Sequence, residues 1–294
     1  MGSRPKTRWR RAACVAVVAI VAAGAAGNRL AHGQQAGVLP DVLQDTQIQY
    51  NWGRHVAPLY EGWFRNVDGT IDMWFGYLNL NWEEVLHVPV GPENRVEPGG
   101  PDLGQPAVFV PRRRTGGAFQ RRENFVFRVR LPRDADQGDE VVWTVTAHGT
   151  TDRAVGLLLP IYELSALPDG NRPPTVRVDN GSRRIALPDK LTLSASFSDD
   201  GKPENRRGRA SVRWVHYRGP GRVTFEPDRS LIPEDTEPGD DVEVETTVTF
   251  SEPGTFGLRA LANDGTTNGG GNPVVPGTTH ALVTVEVEPG PAGR

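Results

Sequence analysis

Cysteine is nearly absent from this chain of 294 residues: one occurs, Cys14. A single thiol excludes an intrachain disulfide, and with it any fold that depends on covalent staples. It also excludes a Cys-based zinc site, which needs two to four thiolates at short spacing. Helical periodicity is missing too. No stretch after the first 33 residues keeps apolar residues at the 3.6-residue period over three turns, which argues against an α/β fold, whose parallel strands need crossover helices. Catalytic signatures are equally scarce. There is no Gly-x-Ser-x-Gly elbow and no Gly-x4-Gly-Lys-Ser/Thr phosphate loop. The histidines past residue 33 are His55, His87, His148, His216 and His280, and none is paired at His-x-His or His-x3-His spacing. Scattered structural histidines are the simpler account of them. Gly269 to Gly271 sit in a Thr/Asn/Pro-rich stretch with no helix signal after it, and read as flexible loop rather than phosphate cradle.

The N-terminus is built for export. Arg4, Lys6, Arg8, Arg10 and Arg11 form a positive region ahead of the uncharged run Ala12 to Gly27, and small residues follow at 23–25 and 31–33. That layout predicts a secretory signal peptide over 1–33. The alternative is an uncleaved segment retained as a membrane anchor, but the run is short and rich in Ala and Gly for a span of about 20 residues. Removing 1–33 takes six of the 33 basic residues and no acidic one, which leaves 27 basic against 36 acidic residues, a net charge near −9. An acidic chain of this kind has no general affinity for nucleic acid or anionic lipid. Cys14 leaves as well. The expected partner is a protein or polysaccharide outside the cytoplasm, and no cofactor is implied apart from a calcium option.

Two-residue alternation dominates the remainder. After a polar lead-in over 34–46, strands are expected at 56–65, 71–82, 107–110, 125–131, 140–147 and 154–163. Asn66 to Thr70 supplies a hairpin turn. Residues 89–106 hold so many Pro and Gly that a long loop is expected there. Leu167 to Pro174 combines turn formers with a Pro pair and reads as a stiff linker. Strand signals resume at 175–178, 190–197, 210–217, 222–225, 242–250, 255–262 and 281–287. In the clearest of them Phe256, Leu258, Ala260 and Ala262 fall on one face, and Thr255, Gly257, Arg259 and Leu261 on the other. The fold class is therefore all-β: two immunoglobulin-like antiparallel β-sandwich domains in tandem, 47–166 and 175–289, followed by a short tail at 290–294.

The second half carries a resemblance. Pro173-Pro174-Thr-Val, Leu191-Thr-Leu-Ser-Ala-Ser-Phe-Ser-Asp-Asp-Gly201, Val212-Arg-Trp-Val215 and Ser251-Glu-Pro-Gly-Thr-Phe-Gly-Leu-Arg-Ala-Leu-Ala-Asn-Asp-Gly265 resemble the polycystic-kidney-disease (PKD) type of immunoglobulin-like domain. The family's Trp-Asp-Phe-Gly-Asp-Gly run is replaced here by Trp214-Val-His-Tyr-Arg-Gly-Pro-Gly221. Members of that family are extracellular spacer and binding modules without catalytic residues, and the resemblance implies the same for residues 172–289.

Four constellations are candidates for function, and they bear on three roles. Nine of the chain's 22 aromatics lie between Tyr50 and Trp82. Burial in a core covered on both sides is the simpler account, and a sugar-stacking platform using Trp63, Trp74, Asn79 and Trp82 is the functional alternative. Asp169, Asn171, Asp199 and Asp200 sit at predicted strand ends where oxygen ligands for calcium can gather, although Asp, Asn and Gly also simply make turns. Arginines 112–114, 121–122, 206–207 and 209 lie in loops and read as solvated charge, or as a patch for acidic groups. A hydrolase with a carboxylate pair drawn from Glu61, Asp72, Glu83 and Glu84 is the third reading, because such a pair must be separated by about 5 to 9.5 Å across a cleft and leaves no sequence motif. Of the three roles, a non-catalytic binding or spacer module accounts for the strand pattern without further assumptions.

Overall fold

The computed structural model describes residues 50–111, 122–167, 170–179, 183–204, 206, 208–266 and 275–290. The expected signal peptide and the whole lead-in, Asp169, Arg112 to Arg114, Arg121, Arg207, Gly269 to Gly271 and the last four residues lie outside the described residues. Among the described residues no helix is long and apolar enough to cross a membrane.

The described chain is all-β. The first eight strands are β1 Val56–Arg65, β2 Ile71–Asn79, β3 Leu86–His87, β4 Asn94–Glu97, β5 Val108–Phe109, β6 Arg122–Leu131, β7 Glu140–Ala147 and β8 Thr150–Leu157. They form sheets ordered β1-β2-β6 and β4-β7-β8, with β3 and β5 as a two-stranded ribbon. The remaining strands are β9 Thr175–Val178, β10 Arg183–Ala186, β11 Leu191–Ser198, β12 Ser211–Arg218, β13 Val223–Glu226, β14 Arg229–Leu231, β15 Val242–Phe250, β16 Gly254–Asn263 and β17 Thr278–Glu288. Their sheets run β10-β17-β16-β12-β14 and β13-β15-β11-β9. Every pairing is antiparallel except that of β10 with β17.

Alternation explains both cores. In the first, Ile71, Met73, Phe75 and Tyr77 of β2 face Val141, Trp143 and Val145 of β7. Trp143 is fully buried, with its ring 4.8 Å from Phe127 and 6.4 Å from Phe75, both edge-on. Side chains of this size each stabilise a fold by about 2–3 kcal/mol through burial alone. The second core joins Leu193, Ala195 and Phe197 of β11 and Val244 and Val248 of β15 to Val212, Trp214, Phe256, Leu258, Ala260 and Ala262 on the facing sheet.

Three departures from the sequence expectations have local causes. The expected loop at 89–106 contains β4, an edge strand paired to β7. Its Asn94 is fully buried, donates from Nδ2 to Val88 O and Pro106 O, and accepts the Trp143 indole N–H at 2.9 Å. Pro92 and Pro98 flank the strand, and an edge tolerates them because it needs donors on only one side. The second strand stops at Asn79 rather than running to residue 82, because the Asn79 side chain takes over: Oδ1 accepts from Asn81 N, and Nδ2 donates to Glu84 O and Phe109 O. The strand expected at 154–163 starts at Thr150 and ends at Leu157, ahead of a 3-10 turn at Pro160–Tyr162. A two-residue hairpin joins it to β7 through His148 and Gly149, both at positive φ. Such turns match the twist of the strands they join.

Candidate functional site

A group of buried polar and charged side chains lies where the two halves touch. On β12, Val212, Trp214 and His216 point into the second core, so Arg213, Val215 and Tyr217 face outward. On β16, Arg259 does the same. That outer face is not left to water, because β6 and the chain between β4 and β5 lie on it. Tyr217 is only 4% exposed and counts among the first core's residues although it belongs to β12. Its Oη donates to Gly104 O at 2.5 Å, and its main-chain O accepts from Ala107 N at 3.0 Å. The Arg259 guanidinium lies 4.7 Å from the centre of the Tyr217 ring and donates to Val126 O across the joint. A cation over a ring with water excluded is a strong version of that contact.

Charge is partly compensated within the joint, where Arg213 and Arg218 are paired with carboxylates. Arg259 is 4% exposed, and burial pulls its guanidinium below the ordinary value while Tyr217 and Glu123 push it back up. Glu123, on β6, lies 3.4 Å from Arg213. Burial pushes the phenols of Tyr77 and Tyr217 up, keeping both neutral donors. At the margin Arg218 grips both oxygens of Asp102 at 2.8 Å and the Gln105 main-chain O at 2.7 and 3.1 Å. That grip holds the Asp102 carboxyl below its usual range. Bidentate pairing of this kind fixes orientation as well as adding energy.

Beside the joint opens a cleft of about 590 Å³ whose walls include His87, Val90, Arg218, Pro220 and Glu252. His87 Nδ1 lies 3.2 Å from Gly219 O, and its ring is 5.7 Å from that of His216. Burial, with help from the neighbouring His87, brings the His216 imidazole down to about 4, so it is neutral near pH 7.

The platform candidates do not share one surface. Trp63 lies in the first core and donates its indole N–H to Leu159 O at 2.9 Å. Asn79 is fully buried. Trp74 lies on the other face of β2, with Phe125 edge-on at 6.0 Å and the Arg128 guanidinium 5.3 Å from its ring. Trp82 is half-buried in the loop after β2, where its main-chain N–H donates to the Tyr50 main-chain O. The exposed aromatics of this segment are instead Tyr50 and Trp52, with the Arg54 guanidinium 4.7 Å from the Tyr50 ring.

The carboxylates considered for acid/base work are engaged with other groups. Asp72 is held by Arg130 at 2.7 and 3.0 Å. Glu61 Oε2 accepts from Arg122 at 2.6 Å, and burial nonetheless raises its carboxyl. Glu61 lies over Gly76, two positions from Trp74 on the face that also carries Asp72. Glu84 takes the Gly53 N–H at 2.7 Å and lies 2.9 Å from His148 Nε2. Of the calcium candidates, Asn171 is buried, Asp199 is held by Arg206, and Asp200 caps turns by accepting from Arg172 N and Lys202 N. Among the described residues no group of three or more His, Cys, Asp or Glu side chains is arranged to hold a metal ion.

Sequence reasoning missed Tyr217, Arg259, Arg213, Glu123 and His216 as a group. Alternation put Arg259 on a water-facing side, and nothing local says that another part of the chain covers that side.

No family model matches the chain, and no curated protein matches it. Among solved structures it is similar to the native conformation of E. coli alpha-2-macroglobulin, at 14% identity over 58% of this chain, with a TM-score of 0.30. It is similar to domains 4 and 5 of the S-layer protein SbsC at 15% identity over 51% of this chain, TM-score 0.21. The D00-D0 domain of intimin overlaps 79% of this chain and 99% of its own length at 8% identity, TM-score 0.24. The chain spans 9% of the macroglobulin's length and 65% of the S-layer fragment's. At these scores the overlaps carry no argument about function.

Proposed function

We propose that this protein acts outside the cytoplasm as a non-catalytic binding or spacer module, made of two immunoglobulin-like sandwiches connected by a linker at 167–174, the second of them PKD-like. The observation that carries this reading is the joint. Tyr217, Arg218 and Arg259 of one half are spent on holding Gly104, Asp102 and Val126 of the other. A fixed joint suits a protein whose task is to present surfaces at a set spacing. The acidic balance beyond residue 33 and the signal-like N-terminus support action outside the cytoplasm, on a protein or polysaccharide partner. Fractionation of cells expressing the full chain, with mass spectrometry of its N-terminus, tests this. The expected product is extracytoplasmic and begins near residue 34. Full-length protein confined to the cytosol would overturn the reading.

Exposed Tyr50 and Trp52 beside half-buried Trp82 favour a second reading, a carbohydrate-binding accessory protein using residues 50–82. Flat aromatic surface with a nearby guanidinium suits sugar stacking. Retention on insoluble polysaccharide that is lost in Trp52→Ala supports it, and equal retention of both proteins refutes it.

A further inference from the structure

A separate constellation lies at one end of the second sandwich, away from the cleft. Three segments converge there. The stretch before β9 brings Asn171, the β11–β12 loop brings Asp199 and Arg206, and the end of β16 brings Asp264. Asn171 Nδ2 donates to Asp264 Oδ2 at 2.9 Å. Asp264 Oδ1 accepts from the Thr266 main-chain N at 2.8 Å and from Thr266 Oγ1 at 2.5 Å. Arg206 donates from Nη2 to Asp199 Oδ2 and from Nη1 to the Asp264 main-chain O at 2.9 Å. Gly201 N adds a bond to Asp199 Oδ2 at 3.1 Å.

Two oxygens are left over. Asn171 is 7% exposed, yet its Oδ1 is buried with no hydrogen-bond partner among the described residues. Asp199 has a side chain 8% exposed, and its Oδ1 is in the same condition. Buried acceptors are nearly always paired, and an unpaired one at a charged group is costly. Among the described residues that hydrogen-bond within this cluster, the Asp199 and Asp264 carboxylates face the single Arg206 guanidinium. The deficit is of positive charge, and the unmet valence is on oxygen.

We propose that this end of the sandwich binds calcium, with Asp199 Oδ1 and Asn171 Oδ1 as direct ligands and the Asp264 carboxylate contributing charge. The donor set is all oxygen, which selects a hard cation over zinc or copper. Carboxylate, carboxamide and water ligands from irregular loops suit calcium, which accepts six to eight oxygens in flexible geometry, whereas magnesium demands a near-ideal octahedron. Arg206 is the resident counter-ion and competes with the metal. With only two carboxylates and that competitor, the affinity belongs in the weak range of extracellular modules, a Kd of about 10⁻⁴ to 10⁻³ M. Bound calcium would tie the stretch before β9 to the ends of β11 and β16.

Calorimetric titration of the full-length protein with calcium chloride, read beside its melting temperature, tests the site. The wild type is expected to bind one calcium in that range and to melt higher with calcium than with chelator, with a smaller response to magnesium. Asp199→Asn keeps the shape, removes the charge and is expected to lose the response. Arg206→Gln leaves both carboxylates and removes the competitor, and is expected to bind calcium about tenfold more tightly. Asn171→Ser, a milder change, is expected to weaken binding without unfolding the sandwich. The proposal is overturned if neither wild type nor Arg206→Gln releases or takes up heat at about 10 mM calcium, well above the expected Kd. It is also overturned if folded Asp199→Asn or Asn171→Ser responds as the wild type does, because the metal is then bound elsewhere.

Discussion

Replacing Tyr217 by Ala removes a ring that one half of the molecule lends to the core of the other. Truncating a buried aromatic to Ala costs about 3–5 kcal/mol, from lost transfer free energy plus the cavity left behind. Two further losses follow from the geometry. Gly104 O loses its donor at 2.5 Å, worth about 1 kcal/mol. Arg259 loses the ring 4.7 Å beneath its guanidinium, a contact worth up to about 2 kcal/mol when desolvated. These terms overlap, so the expected cost is about 5 kcal/mol, comparable with the whole stability of a marginal domain. Tyr217→Phe keeps the ring and loses the hydroxyl's bonds to Gly104 O and Arg259, for about 1–2 kcal/mol. Urea unfolding followed by fluorescence gives both numbers, with Val67→Ala at a fully exposed hairpin tip as a control expected to lie within about 0.5 kcal/mol of wild type. Hydrogen exchange supplies the second readout. In Tyr217→Ala, protection is expected to fall in β5 and β6 as well as in β12 and β16, since the ring couples them. A cost below about 2 kcal/mol, outside the range for a buried aromatic, or a loss of protection confined to β12, would refute the view that the joint is part of the core.

His216 is held neutral at about 4, against an ordinary value of 6.5, so between those pH values the unfolded chain binds a proton that the native state refuses. Its contribution is intact above pH 6.5 and is lost as pH falls toward 4, by at most about 3 kcal/mol. Denaturation midpoints measured from pH 7.5 to 4.5 should drop more steeply for wild type than for His216→Gln. Gly76→Ala is expected to lose about 1–3 kcal/mol of stability in the same assay, because a Cβ there would stand 2.4 Å from the main-chain O of Glu123 and 2.3 Å from Glu61 Oε1. Asn79→Ala removes three hydrogen bonds to main-chain groups and is expected to cost about 3 kcal/mol in thermal melts.

Much of the strand plan was legible before any coordinates, because a two-residue period is a local property. The alternation at Phe256 to Ala262 names the inward residues of β16, and those residues are buried. Turn chemistry was legible where Gly must adopt positive φ, as at Gly69 in the turn between β1 and β2. Edges were harder. The short β4 and β14 are paired on one side only, and Pro-flanked or three-residue stretches leave too few alternations to register a period.

By itself, then, the sequence determined an all-β chain, its main strands and which side of each faces a core, since side-chain direction along a strand follows from the pleat alone. Only the tertiary structure decided that the far side of the β12–β16 pair is also covered. It likewise decided that Asn171, Asp199, Arg206 and Asp264 share one buried spot, and that Trp63 and Asn79 are committed to packing while Tyr50 and Trp52 face solvent. Burial of a second face, and the convergence of loops far apart in sequence, depend on long-range packing, which no short window of residues encodes.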